Sequence, residues 1–239
     1  MDGDLIINQV VKIKKQSNMA IRLEKGQRIN LEKESGAKLT NFCVGCKWGN
    51  VEKKSFFGLV SNSVDVDLDL SCMMFDCEGK AVDHIWSPLF RFGERNIGLP
   101  NGKLDSNDNA IHHTGDALKS GPNIDDEVIT VDLNRVDGRV NSIVFFLNIY
   151  NNNDYQGDFS GIPYARIRMY EYDRKPENIK EVFAEYNINT MAECVGKRGL
   201  VMAKLYRQNG EWKFAAIGDA FEDRSIVNTI ARVMKDFSK

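Results

Sequence analysis

Residues 140–150 read VNSIVFFLNIY, an almost unbroken apolar run rich in β-branched and aromatic side chains. At this length it falls well short of the roughly 20 apolar residues that cross a bilayer. It reads instead as a central strand covered on both faces, so the fold must supply layers on either side of it. The rest of the chain offers short alternating segments for that purpose. Asn41–Trp48 places Phe42, Val44, Cys46 and Trp48 on one face, and Val64–Leu70 sets Val66, Leu68 and Leu70 against Asp65, Asp67 and Asp69. Val128–Leu133 is a further strand ahead of a turn at Asp137-Gly138. Tyr164–Tyr172 alternates Tyr164, Arg166, Arg168 and Tyr170 against Ala165, Ile167 and Met169. Gly199–Tyr206 and Glu211–Ile217 flank Gln208-Asn209-Gly210, whose Asn-Gly pair signals a tight hairpin. Helical spacing is confined to Glu222–Phe237, where Ile226, Val227, Ile230, Val233, Met234 and Phe237 form an apolar stripe. Many short strands with one terminal helix predict an all-β chain, a β-sandwich of two sheets with a C-terminal helix over 222–237. Residues 20–239 form the domain, and 1–19 read as an N-terminal extension.

Composition narrows the function class. Of 239 residues, 42% are hydrophobic and 28% charged, enough to bury a core. A net charge of −2 favours neither nucleic acid nor an anionic membrane as partner. The stretch MDGDLIINQVVKIKKQ puts its acids first and its basic run last, the reverse of a secretory signal. Five cysteines, an odd number, do not suggest a disulfide scaffold. Together these point to a reducing, cytoplasmic setting.

Two segments carry the acidic chemistry. In Val64–Leu70, alternation sets Asp65, Asp67 and Asp69 on one strand face about 6.8 Å apart, too wide to grip one ion unaided. The loop from His113 to Glu127 contains Asp116, Asn123 and the run Asp125-Asp126-Glu127. If Asp67, Asp69, Asp116, Asp125, Asp126 and Glu127 converge, each like-charged pair about 4 Å apart costs about 4 kcal/mol at a surface-like dielectric. Such a cluster spreads apart, takes up protons or binds cations. Oxygen-only donors disfavour zinc and copper, and irregular loop ligands favour Ca²⁺ over Mg²⁺. Acid-rich loops are also common as solvated turns, and the spacing does not match an EF-hand. Composition alone leaves both readings open.

Several motifs in series resemble the TerD family of tellurium-resistance and stress-response proteins. They are Leu23-Glu24-Lys25-Gly26 with Ile29-Asn30-Leu31, Val66-Asp67-Leu68-Asp69 with Ser71, and His113-Thr114-Gly115-Asp116 with Asp125-Asp126-Glu127. Val144–Tyr150 and Leu205–Phe214 complete the series, which covers about residues 20–220. The resemblance implies a calcium-binding β-sandwich, similar in architecture to calcium-dependent membrane-docking modules. It implies a cytoplasmic protein working with other proteins of a stress operon, a membrane-embedded one among them, and with no catalytic motif in sight the chain reads as a binding module and not an enzyme. Carried over by position, the metal ligands are Asp67, Asp69, Asp116, Asn123, Asp125, Asp126 and Glu127. Three departures lie in the loop: Ala117 follows Gly115-Asp116, Lys119 adds a positive charge, and Asn123 stands where an Asp is usual. They reduce the expectation from two calcium ions to one. A calcium-dependent membrane-docking or scaffold module is the alternative reading.

Other candidates have plain explanations. Cys43 and Cys46, three apart on a strand, face opposite ways and form no zinc pair. Cys72 and Cys77 have the same difficulty, and Cys194 has no activating neighbour. His112-His113 reads as a solvated pair, or as an aid to the adjacent acids. Arg166 and Arg168 read as a polar sheet surface, with anion recognition as the sharper alternative. Leu99-Pro100 reads as a solvated loop or a membrane-contacting tip. No Ser/His/Asp order, phosphate loop or dinucleotide fingerprint occurs.

Overall fold

The computed structural model describes residues 20–33, 35–54, 61–64, 66–95, 97–115, 125–150, 155–187 and 194–239. Among these, two six-stranded sheets face each other. The first runs, in spatial order, β1 (Ile21–Arg22), β12 (Lys175–Asn187), β11 (Ala165–Asp173), β3 (Asn41–Trp48), β9 (Glu127–Asp132) and β8 (Ile111–His113). The second runs β2 (Arg28–Asn30), β14 (Glu211–Phe221), β13 (Gly199–Gln208), β10 (Ser142–Ile149), β6 (Leu68–Phe75) and β7 (Ala81–Ile85). A separate ladder joins β4 (Val51–Lys54) to β5 (Ser61–Val64). The predicted residues 1–19 extension lies outside the described residues.

The apolar run occupies the middle of the second sheet as β10, and all eight of its residues are buried. Ile143, Phe145, Leu147 and Ile149 point into the core between the sheets with Phe42, Val44, Leu68 and Ile129. Val144 and Phe146 point the other way and meet Met73, Phe75, Ile226, Ile230 and Val233. Those last three belong to helix α1 (Ile226–Arg232) and the π-helical turn Val233–Phe237 that continues it. The helix starts with the apolar stripe at Ile226 and not at residue 222, because β14 runs to Phe221 and Ser225 stands at the N-cap. Asn209 and Gly210 turn the β13–β14 hairpin with φ of 54° and 80°, the pair of positive values a type I′ turn requires.

Three expectations change. The predicted strand Val64–Leu70 is divided, with β5 ending at Val64 and β6 beginning at Leu68. Its polar face is not solvated throughout: Asp67 is exposed, but Asp69 is buried. The outer face of the second sheet is roofed by α1 and the 86–99 region, so alternation there does not mean exposure. The supposed polar surface of β11 is also covered in part, since Arg168 and Tyr170 are buried. Finally, β12 carries Pro176 and confines its buried side chains, Ala184 and Tyr186, to its C-terminal end, so no alternating pattern runs its length. Only the two-residue β1 lies beyond it, a near-edge position that tolerates proline and partial exposure.

Candidate functional site

One end of the sandwich gathers the start of β6, the end of β3 and the start of β9. Register brings them together: Cys46 pairs with Glu127 across β3 and β9, and the Asp126 N–H donates to the Cys46 carbonyl at 2.8 Å. Trp48 then ties the two acidic segments. Its backbone N–H donates to Asp126 Oδ2 at 2.9 Å, and its indole Nε1–H donates to the Val66 carbonyl at 2.6 Å, one residue before Asp67. The Asp67 carbonyl accepts the Tyr150 N–H at 2.8 Å, which fixes this stretch to the end of β10.

The three consecutive acids diverge. Glu127 shares the inward parity of Ile129 and Val131, and its Oε2 accepts the Leu70 N–H of the opposite sheet. His113 Nε2 lies 3.4 Å from the same oxygen. Because His113 Nδ1 accepts the Gly115 N–H at 3.0 Å, its ring proton sits on Nε2 and faces the carboxylate. The pair is buried, so His113 is not the solvated residue expected. His112 is exposed and meets Asp105 at 2.7 Å.

Asp125 and Asp126 turn to the outer face of the first sheet. The Asp125 side chain is fully buried, with both oxygens 2.9 Å from Arg168 Nε. Burial pushes its pKa up, and the Arg168 guanidinium pulls the other way. Gly45 makes the arrangement possible, since a Cβ there would stand 2.0 Å from Asp125 Oδ2. Arg168 also lies 5.4 Å from the ring centroid of Tyr170. Asp126 has Lys47 Nζ 3.5 Å from its Oδ1. Sequence reasoning missed both pairings. The signal was Gly45 in the middle of β3, two positions before Lys47, together with Arg166 and Arg168 alternating on β11.

Asp69 belongs to a third location. It pairs with Asn148 across β6 and β10, on the sheet face that α1 covers. Asp116 and Asn123 lie outside the described residues. Among the described residues, no three histidines, cysteines or acids come together as a ready ligand set. Asp67, Asp126 and Glu127 are nonetheless at one end of the sandwich, on two segments bridged by Trp48. Asp126 and Glu127 each accept a backbone N–H, from Trp48 and Leu70, and carboxylate oxygens are the donor class that hard cations take. Asp125, gripped through both oxygens, is an anchor for the loop end.

The cysteines carry no chemistry here. Cys43 and Cys46 face opposite sides of β3, and burial pushes the Cys43 thiol up to about 12 and the Cys46 thiol well above its ordinary value. Cys72 and Cys194 are buried, and Cys77 is exposed. No described helix is long and apolar enough to cross a membrane.

The TerD domain model matches residues 19–232. Stress response protein SCP2 of Bacillus subtilis (strain 168) is 35% identical over 217 residues, covering 90% of this chain and 99% of that one. Tellurium resistance protein TerZ of Serratia marcescens is 32% identical over 207 residues, covering 86% and 93%. The crystal structure of a homologue of telluride resistance protein (TerD) from Streptomyces coelicolor A3(2) superposes with a TM-score of 0.55. It is 12% identical and covers 84% of this chain and 98% of that one, a likeness of fold. With a matching family model over nearly the whole domain and relatives that align end to end, this chain belongs to the TerD family of tellurium-resistance and stress-response proteins.

Proposed function

We propose that this protein is a calcium-binding module of the stress response that works by binding and not by catalysis. The observation that carries the reading is Trp48, which holds the Asp67 segment and the Asp126-Glu127 segment at one end of the sandwich. Asp67, exposed at that end, would hold the ion together with Asp126 and Glu127. Ca²⁺ takes six to eight oxygen ligands, and Asp116 and Asn123, which the family resemblance implies as ligands, would supply two more. The bound ion would offset the mutual repulsion of these carboxylates. The cytoplasm is the proposed compartment, and a membrane-embedded protein of the same stress system the proposed partner.

Calcium binding to the folded state alone raises stability by about 2.7 kcal/mol at a hundredfold excess over Kd. Thermal unfolding with Ca²⁺ and with chelator should therefore show a clear rise in Tm. Asp67→Asn should remove most of that rise while leaving the chelated Tm in place, because the Asp67 side chain is exposed. A wild-type Tm indifferent to millimolar Ca²⁺ would end the calcium reading.

One observation favours a second reading, calcium-dependent membrane contact. Leu89 is 68% exposed and Ile97 45%, and their neighbour Phe90 packs on Tyr150 at 6.0 Å, next to the acidic end. Sedimentation with phosphatidylserine vesicles, with and without Ca²⁺, separates the two. Absence of calcium-dependent pelleting leaves the binding module alone.

A further inference from the structure

Lys47 lies where a lysine rarely lies. The residue is only 6% exposed, and it sits on the outer face of β3, two positions from Gly45. Long charged side chains ordinarily lift their ammonium into water, and burying one is costly unless it is paired. Here the ammonium is 3.5 Å from Asp126 Oδ1, with the two side chains 8% and 9% exposed. The ladder places Arg166 directly opposite Lys47, and Arg168 opposite Gly45. Three cations thus stand on this face beside two carboxylates, Asp125 and Asp126. Glu185, the next acid along the row and opposite Arg168, is taken by Arg22 at 3.6 Å. The acidic run is therefore not short of positive charge on this side.

We infer that Lys47 is a tethered cation that holds Asp126 in the metal-free protein and competes with a divalent ion for it, so that this residue sets the calcium affinity of the site. The inference rests on the calcium reading above. Its physics is simple. A fixed ammonium beside a ligand carboxylate supplies part of the neutralisation that the ion would otherwise supply, and it repels a doubly charged ion over the same few ångströms. Lys47 would stabilise the empty state and weaken the loaded one. Its effect on the two states has opposite sign, which an ordinary structural lysine does not have.

The test measures both states. Calorimetric titration of Ca²⁺ into chelator-stripped wild type, Lys47→Gln and Lys47→Arg gives affinity, and thermal unfolding in chelator gives the stability of the empty state. Lys47→Gln should bind Ca²⁺ about tenfold tighter or more, as removal of one nearby like charge implies. Its chelated Tm should fall below that of wild type. Lys47→Arg, which keeps the charge, should bind like wild type. Lys47→Met keeps the apolar stem and serves the same purpose if the glutamine variant does not fold. A wild type that binds Ca²⁺ while Lys47→Gln binds it equally or more weakly overturns the inference and leaves the calcium reading standing. Failure of wild type and variants alike to take up Ca²⁺ overturns both. Uptake by Lys47→Gln alone would be the strongest support.

Discussion

On the outer face of the second sheet, α1 lays Ile226, Ile230 and Val233 over Met73, Phe75, Val144 and Phe146. On the outer face of the first, the described buried apolar cluster is Cys43, Val128 and Tyr170, with Tyr172, Ile179 and Val182 packed against it, and beside it lie Asp125 with Arg168 and Asp126 with Lys47. Both faces bury polar side chains that strand alternation would assign to solvent. The helix side does so with a chain of hydrogen bonds. Asn148 Nδ2 donates to Thr229 Oγ1 at 2.7 Å, Thr229 donates to Asp223 at 3.2 Å, and Arg232 donates to Asp223 at 2.8 and 2.9 Å. The difference is one of purpose. An apolar roof with a short polar seam fixes a helix to a sheet. A charged face keeps two carboxylates buried yet close to the end where Asp67 stands.

The comparison breaks most easily at Arg168. Arg168→Met would leave the Asp125 carboxylate buried without its cation, which costs about 3–5 kcal/mol. Replacing both partners, as Asp125→Leu with Arg168→Met, should recover much of that loss, because a buried ion pair and a packed apolar pair are often of similar worth. Urea unfolding of the two variants measures the difference. A single variant as stable as wild type would mean that Asp125 is not held by Arg168 in solution. Gly45→Ala sharpens the same point by pushing a methyl group against Asp125 Oδ2. Strain of that kind costs about 1–3 kcal/mol.

On the helix side the expected cost is smaller. Thr229→Val keeps shape but removes the acceptor for Asn148 Nδ2, leaving a buried donor unmatched at about 1–3 kcal/mol. It should speed amide exchange in α1 and leave calcium uptake unchanged. Loss of calcium uptake in this variant would show that the two faces are coupled, contrary to the separation drawn here.

These pairings explain how much the sequence could disclose. The β10 run, the β3 alternation and the Asn209-Gly210 turn are local patterns, so they were legible, and the chain's order of motifs carried the family. The fate of Asp69, Arg168 and His113 was not legible, because each depends on which layer covers which face. Alternation predicts that residues share a face and says nothing about whether that face is roofed. β12 failed for another reason: its buried residues, Ala184 and Tyr186, sit at one end of a long strand whose other end is largely exposed, so no alternation runs its length. The run Asp125-Asp126-Glu127 looked like one ligand group because it is contiguous. Yet Glu127 follows the inward parity of β9, while Asp125, just before the strand begins, folds back over Gly45.

The smallest effect expected separates buried from surface carboxylates by acid. Burial tends to raise the pKa of Asp108, but the Ser106 hydroxyl and the Asp137 and Ala110 N–H groups outweigh it, and the net shift is downward. Asp158 behaves alike, with burial outweighed by the Ser160 hydroxyl and the Gly196 and Ser160 N–H groups. A carboxyl depressed in the folded state contributes stability that is fully present above its unfolded value near 3.9 and lost as pH falls through the folded one. Both groups are largely solvated, so each contribution is below about 1 kcal/mol after screening. Asp125 has the opposite sign: its raised pKa means that protonation relieves part of its burial cost. Stability measured from pH 6 down to pH 3 should therefore fall less steeply in Asp158→Asn than in wild type. In Arg168→Met the sign should differ, with acid recovering part of the loss caused by the mutation. If Arg168→Met were instead more acid-sensitive than wild type, the Asp125 carboxylate would have to be finding another cation, and Lys47, on the same face, is the first to examine.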